Sequence, residues 1–396
     1  MSDIKTYTDA DVKGKRVLTR VDFNVPLDGD NVTDDTRIKA ALPTIKYLMD
    51  KGARVVLCSH LGRPAGTGYE AEYSLAPVAK HLEKILGTSV AFAADSIGDA
   101  AKDVVNSLAD GQVALLENLR FDAREKKNDP EFARELASMG DMYVNDAFGA
   151  AHRAHASTAG VAEYLPSYAG ALMTKEVETL TSMLDDPRRP FVAILGGSKV
   201  SDKVAVIDAL IDKCDTLIIG GGMCFTFLRA QGYATGTSLM EEDWVERAAE
   251  MLKKAEAKGV SMLLPVDVVC ADTFSNEATT VTVPVTDIPD DMMGLDIGPM
   301  TVVQYGNAIA DAKTVFWNGP MGVFEMDNFA AGTKGVAVAV GANEQATTVI
   351  GGGDSVAAVN KFGLADQMSF ISTGGGASTE LVQGEKLPGV EALKED

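Results

Sequence analysis

The stretch T-T-V-I-G-G-G-D-S-V-A-A at residues 347–358 decides how the chain reads. A β-branched run over 348–350 gives way to Gly351, Gly352 and Gly353, then to Asp354 and Ser355, then to small apolar residues able to carry a helix. The pattern predicts a strand, a tight turn and a helix beginning after Asp354. Three side chains are missing where backbone N–H groups would meet a ligand, and the positive end of the helix points at the same spot. An anion fits there, and phosphate fits best. A carboxylate beside a phosphate needs a cation between them, so Asp354 is expected to carry magnesium. The same residues also spell an ordinary glycine turn with an Asp N-cap, and the rest of the chain has to choose.

Length and composition narrow the choice. A chain of 396 residues exceeds one ordinary core, so two lobes are expected. A hydrophobic content of 46% with 38 glycines and 14 prolines fits a globular α/β enzyme rather than a fibrous or disordered chain. The net charge of -21 argues against a nucleic-acid binder or a membrane-surface protein. An acidic protein that handles phosphates must gather its basic residues locally. Cys58, Cys214, Cys224 and Cys270 are scattered without a C-x-x-C pair, which predicts reduced thiols and no zinc site. Residues 1–15 are polar, and no apolar run approaches the roughly 18 residues that span a bilayer, so a soluble cytoplasmic protein is expected.

Strand-length apolar runs alternate with helical patterns along the whole chain. Strands are predicted at 17–25, 54–58, 90–93, 113–116, 142–144, 191–195, 216–219, 262–266, 314–317, 347–350 and 368–371. Helices are predicted where Ile38, Leu42, Ile45 and Leu48 share a face, and at 99–108, 202–211 and 241–258. Alternation of this kind predicts an α/β fold of two Rossmann-like lobes, each a doubly wound parallel sheet with helices on both faces. The boundary is placed near 165–178, after the P-S-Y-A-G turn, which gives lobes of 1–170 and 171–375 joined by a hinge.

In such sheets ligands bind outside the carboxyl ends of the strands. The first half ends its strands in D-F-N, S-H-L-G-R-P, E-N-L-R and N-D-A-F-G-A-A-H-R. The second half ends them in G-G-S-K, G-G-G-M, W-N-G-P, G-G-G-D-S and S-T-G-G-G-A-S. Arginine and histidine suit a small, highly charged anion; glycine and lysine suit a nucleotide triphosphate. The candidates in the first half are Asp22, Asn24, Arg37, His60, Arg63, Arg120 and Arg153. Any one of these arginines alone reads as a surface residue in a weak ion pair, but all the candidates lie at or just beyond strand ends except Arg37, in the opening turn of the helix from Thr36, and together they argue for a shared anion. His60 reads as a substrate hydrogen-bonding residue, because phosphoryl transfer to an ionised oxygen needs little proton chemistry. His81 lies within an amphipathic helix and reads as structural.

In the second half Lys199 and Lys203 are four apart, so on a helix both ammoniums would share a face and reach one phosphate chain. No G-x-x-x-x-G-K-[ST] occurs, and G-G-G-M-C-F lacks the third glycine of a dinucleotide fingerprint. The P-M-G-V-F-E run at 320–325 offers an apolar wall and a carboxylate, suited to an adenine and a ribose hydroxyl.

These motifs resemble those of the phosphoglycerate kinase family over essentially the whole chain. The carrying stretches are R-V-D-F-N-V-P (20–26), S-H-L-G-R-P (59–64), E-N-L-R-F (117–121), D-A-F-G-A-A-H-R-A-H-A-S-T (146–158), G-G-S-K-V-S-D-K (196–203), W-N-G-P-M-G-V-F-E (317–325), G-G-G-D-S (351–355) and I-S-T-G-G-G-A-S (371–378). The resemblance implies reversible phosphoryl transfer between 1,3-bisphosphoglycerate and ADP, giving 3-phosphoglycerate and ATP in glycolysis, with magnesium on the nucleotide. It implies that Asp22, Phe23, Asn24, Arg37, His60, Leu61, Gly62, Arg63, Arg120 and Arg153 bind the glycerate. It implies that Lys199, Lys203, Gly294, Glu325, Gly351, Gly352, Gly353, Asp354 and Ser355 bind the nucleotide, with Asp354 on the metal. Arg37, Lys199 and the amides of Gly352 and Gly353 would stabilise the phosphoryl group in flight. The family pattern also implies a monomer whose last segment, 376–396, returns to the first lobe. Ser355 stands where the family usually has threonine, and its hydroxyl is expected to keep a phosphate contact.

A phosphoryl group in flight would be lost to water in an open site, so hinge closure that expels solvent is expected. Two rivals remain on the residues: a nucleotide-dependent dehydrogenase or other two-lobed transferase, and a nucleotide-binding protein without turnover.

Overall fold

The computed structural model of the chain describes residues 4–394 and divides into two compact units, Met1–Thr179 with Lys386–Asp396, and Leu180–Glu385. Among the described residues no helix is long and apolar enough to cross a membrane. All four cysteines are buried and unpaired.

The first unit contains β1 (Arg16–Arg20), a small hairpin of β2 (Leu27–Asp28) and β3 (Asn31–Val32), then β4 (Arg54–Cys58), β5 (Val90–Phe92), β6 (Val113–Leu115), β7 (Met142–Asn145) and β8 (Ser167–Ala169). Helices α1 (Thr36–Asp50), α2 (Ala76–Leu86), α3 (Gly98–Asn106) and α4 (Pro130–Ala137) alternate with them, and α5 (Ala171–Asp185) carries the chain onward. The six larger strands form one parallel sheet in the order β5-β6-β4-β1-β7-β8. Four of the five β1 residues, Val17 to Arg20, are buried, because helices cover both faces of a central parallel strand. Helix α1 buries Ile38, Ala41, Ile45 and Leu48, the spacing of one helical face, against the core around Val17, Val55 and Val144. Each such aliphatic side chain contributes about 1.5–3 kcal/mol on burial.

Chain direction positions the site. From β1 the chain builds the sheet first toward β4, β6 and β5, and later toward β7 and β8, so β1 stands at the switch point. Register aligns Arg20 with Cys58 and with Asn145. The segments that follow, beginning at Val21, Ser59 and Asp146, therefore leave the sheet at one carboxyl edge. The strand expected over 17–25 stops at Arg20 for this reason: its neighbours end, and after one last bond from Val21 N to Cys58 O (3.0 Å) the backbone turns away.

The second unit contains β9 (Phe191–Leu195), α6 (Val204–Ile211), β10 (Thr216–Ile219), α7 (Cys224–Ala230), α8 (Val245–Lys258), β11 (Ser261–Leu263), β12 (Asp267–Ala271), β13 (Thr280–Pro284), β14 (Met293–Ile297), α9 (Pro299–Ala310), β15 (Thr314–Asn318), α10 (Ala331–Ala342), β16 (Thr347–Gly351), α11 (Gly353–Lys361), β17 (Phe370–Ile371) and α12 (Gly376–Val382). Its parallel sheet runs β11-β10-β9-β15-β16-β17, the doubly wound order with its switch point between β9 and β15. Every residue of β9 and β15 is buried. A second, antiparallel sheet, β13-β12-β14, has no counterpart in the strand expectations. The run at 262–266 read as one strand; it is the end of β11 and a connection into β12, with β12 paired to β13 and β14 by long-range register.

The last segment returns to the first unit later in the sequence than expected. Helix α12 packs on α6, and Asn318 Nδ2 donates to Thr379 Oγ1 at 3.4 Å, so residues 376–385 belong with the second unit. The return begins at Lys386 and carries α13 (Pro388–Glu391), where Gly389 N donates to Ala151 O at 2.8 Å. A Cβ at Gly389 would lie 2.9 Å from Ala151 Cα, so glycine permits this approach. The other boundary lies between Thr179 and Leu180, inside α5, rather than at 170.

Candidate functional site

At the carboxyl edge of the first sheet the segments after β1, β4 and β6 and the first turn of α1 are tied into one network. Arg37 Nη1 donates to Asp22 Oδ1 at 3.3 Å and to Asn24 O at 3.1 Å. Asn24 N donates to Asp22 Oδ1 at 3.2 Å, while Asn24 Oδ1 accepts from Gly62 N at 2.8 Å. Arg120 Nη1 donates to Gly62 O at 2.8 Å. Gly62 has φ +60, and a Cβ there would meet the Tyr73 ring at 2.4 Å, so a larger residue would have to displace that ring and strain the backbone. Phe23 and Leu61 bury their side chains in the core and offer this edge only backbone: Phe23 N bonds Ser59 Oγ, and Leu61 N bonds Asn118 Oδ1. Arg63 and Arg153 are exposed, and Arg153 Nε donates to His152 Nε2 at 3.0 Å. His60 is buried. His81, on α2, reaches Asp35 at 3.1 Å, a structural contact.

The carboxyl edge of the second sheet is made of backbone. Gly196 N donates to Asn318 O at 3.0 Å, Gly197 N to Pro320 O at 3.2 Å, and Gly221 N to Met321 O at 3.0 Å. A cavity of about 540 Å³ opens beside these loops, lined by Gly197, Gly221, Gly222, Phe225, Gly294, Pro320, Met321, Val323, Glu325 and Asp354 among others. Gly294 packs so closely on Phe225 that a Cβ would lie 2.0 Å from its ring. Gly352 has φ +86 and caps α11, which starts at Gly353. Asp354 therefore sits in the first helical turn instead of preceding the helix, and with Gly353 it is exposed. First-turn N–H groups lack partners within the helix, so this end suits an anion.

Two expectations change here. Residues 199–203 form a turn before α6, so Lys199 and Lys203 do not share a helical face. Lys199 is exposed, whereas the Lys203 ammonium donates to Asn318 Oδ1. Ser355 is fully buried, and its hydroxyl oxygen accepts from Gly319 N, so its side chain ties two loops together and does not point at a phosphate.

A family model described as phosphoglycerate kinase matches residues 7–385. The chain belongs to the phosphoglycerate kinase family. A cytosolic phosphoglycerate kinase 3 of Arabidopsis thaliana is 58% identical over 396 residues, covering 99% of this chain and 98% of its own length. The phosphoglycerate kinase of Synechococcus elongatus is 58% identical over 394 residues, covering 98% of each. The solved structure of phosphoglycerate kinase from Coxiella burnetii matches with a TM-score of 0.91 at 43% identity, covering 98% of both chains.

Electrostatics distinguish the two edges of this phosphoglycerate kinase family member. Burial, then Arg20 and Arg153, pull the Arg120 guanidinium down to about 10, and its Nε is buried without a partner among the described residues. Burial, then Arg20, Arg120, Arg37 and His155, hold His60 well below its ordinary range, so its ring is neutral. An anion bound here relieves repulsion among these groups. Arg20 escaped the sequence reading because its residue lies inside a predicted strand; a charge within an apolar run was the available signal. In the second unit burial lowers the Lys203 ammonium, opposed by Asp354 and Asp202.

Asp296, which also lines the cavity of the second unit, gives a pH dependence. It accepts from Ile297 N at 2.9 Å and Gly332 N at 2.7 Å, yet burial still pushes it from 3.8 up to about 7. A carboxyl whose folded pKa is raised contributes stability that is present below 3.8 and lost as pH rises through about 7. The slope is at most about 1.4 kcal/mol per pH unit. Thermal midpoints measured across this window should fall with rising pH in the native chain and flatten in Asp296→Asn; parallel curves would exclude Asp296 as the cause.

Proposed function

We propose that the chain catalyses reversible phosphoryl transfer between 1,3-bisphosphoglycerate and ADP, giving 3-phosphoglycerate and ATP. The observation that carries this reading is the contrast between the two carboxyl edges in a member of this family: neutral His60 among guanidiniums in one unit, bare amides at a helix start in the other. In the reading, Arg63, Arg120 and Arg153 neutralise the phosphate and carboxylate of the glycerate, and His60 donates a hydrogen bond. Asp22 and Asn24 hold Arg37 in place. The cavity beside Gly294, Pro320 and Val323 takes the base, Glu325 the ribose, and the first-turn amides of α11 with Lys203 the phosphates.

Magnesium fits this cradle as a guest of the nucleotide. Among the described residues no group of three or more His, Cys, Asp and Glu is placed to hold a metal alone, and an exposed Asp354 beside phosphate oxygens matches how magnesium is commonly bound. It would supply charge neutralisation on the nucleotide phosphates. A coupled assay of purified protein with 3-phosphoglycerate, ATP and magnesium tests the function; nucleotide binding without turnover would replace it with the binding-protein reading.

Transfer also requires that water be kept from the migrating group, so the two units are proposed to close on both substrates. Small-angle scattering should show a smaller radius of gyration with both substrates than without, and a forward intensity matching a single chain of 41.7 kDa. An unchanged radius would exclude closure. The name of the Arabidopsis thaliana relative supports a cytosolic site of action.

A further inference from the structure

Behind the guanidiniums of the first unit lies a buried chain of polar groups that the reaction above does not use. Glu125 is fully buried; it accepts from Ser157 Oγ at 2.5 Å and from Ser157 N at 3.0 Å. The same Ser157 hydroxyl oxygen accepts from Arg20 Nε at 2.8 Å. Arg20, only 1% exposed, places Nη1 on the Val21 carbonyl and Nη2 3.0 Å from His60 Nδ1. One hydroxyl thus bridges a buried carboxylate and a buried guanidinium, and the guanidinium touches the candidate substrate histidine.

The direction of these bonds is fixed by chemistry. A guanidinium can only donate, so His60 Nδ1 must accept. A neutral imidazole has one proton, which then resides on Nε2. Burial raises Glu125, and Arg20 with the two Ser157 hydrogen bonds opposes that shift, so the buried carboxyl and the buried guanidinium offset one another's burial. Its backbone also holds the loop that carries Ser157, since Ala156 N donates to Glu125 O at 2.9 Å. The other titratable groups facing this chain are Arg37, Cys58, Arg120, Tyr143, whose hydroxyl donates to Ser157 O at 2.7 Å, and His155, with Nδ1 3.9 Å from Glu125 Oε1.

We propose that Glu125 is a positioning residue that acts through Ser157 and Arg20 to hold His60 as an Nε2–H donor for the anionic substrate. The nature of that substrate rests on the function proposed above; the tautomer does not. The alternative, a purely structural Glu125, predicts no link to the protonation of a ring it never touches.

Long-range proton–nitrogen correlation spectra of the substrate-free full chain at neutral pH read both His60 nitrogens, and with four histidines a His60→Asn variant assigns them. The native chain should show a bare Nδ1 and a protonated Nε2. Ser157→Ala, which removes one hydroxyl, and the isosteric Glu125→Gln should both give a mixture of tautomers. Both should also raise KM for 3-phosphoglycerate about 5- to 10-fold, the loss of one hydrogen bond, with KM for ATP unchanged. A proton on Nδ1 in the native chain, or a native spectrum and native KM in both variants, would overturn the proposal. If the native chain fails to phosphorylate 3-phosphoglycerate, the proposed function falls while the spectra still decide the tautomer.

Discussion

Arg37→Ala is expected to lower kcat about 100- to 1000-fold, with a much smaller rise in KM for 3-phosphoglycerate. Arg37 occupies the first turn of α1, and its guanidinium is held by Asp22 and by the carbonyl of Asn24. A donor fixed in advance costs no reorganisation when negative charge develops, so its contact strengthens on the way to the transition state. The exposed arginines, Arg63 and Arg153, are better placed to bind substrate and product equally, and that kind of contact shows in KM. Stability should hardly change, because the Arg37 side chain is 38% exposed and such ion pairs contribute about 0–1 kcal/mol. Arg37→Lys should recover little activity, since an ammonium cannot reproduce the planar two-pronged donor. Steady-state kinetics in both substrates decide the point; a pure KM effect would make Arg37 a binding residue.

Gly221→Ala is expected to damage nucleotide binding and stability together. Gly221 has φ +70, and a Cβ there would lie 2.5 Å from Gly197 O, 2.6 Å from Gly197 N and 2.9 Å from Pro320 O. All three are backbone atoms of the loops after β9 and β15, the same loops that line the cavity. No flexible side chain can give way, so the loops must separate. The left-handed backbone costs about 1–2 kcal/mol and the overpacking a further 1–3 kcal/mol. KM for ATP should rise at least about 10-fold, the equivalent of roughly 1.4 kcal/mol of lost binding. Gly87→Ala is the control: φ is +68 there, but nothing lies within 4 Å of the added Cβ. It should show the conformational cost alone and leave KM for ATP unchanged. Equal losses in the two variants would mean that backbone strain, not loop spacing, governs the site.

How much of this was legible in the residues follows from the range over which each feature is determined. Strand, turn and helix after Thr347 are local properties of β-branched residues, glycines and small apolar residues, so T-T-V-I-G-G-G-D-S announced β16, its turn and α11, missing only the start of the helix by a residue or two. The cluster of Asp22, Asn24, Arg37 and Arg120 was accessible because parallel strands deliver the residues that follow them to one edge, whatever the details of packing. The lysine pair failed for a long-range reason: Gly196 and Gly197 adopt a loop pinned to Asn318 and Pro320, distant in the chain, so the helix begins only at Val204 and the spacing of Lys199 and Lys203 carries no helical meaning.

By itself, then, the sequence determined the fold class, the family, the edges at which ligands meet the sheets and most of the side chains found there. Only the tertiary structure decided that Arg20 is buried against Ser157 and His60, that Glu125 stands behind them, that Ser355 faces inward to Gly319, and that β12, β13 and β14 form a sheet of their own. The reason is physical. Periodicity and turn chemistry act over a few residues, whereas the partner of a buried charge and the register of an antiparallel strand are set by groups far along the chain, such as residues 20 and 157, that meet only once the core has closed around them.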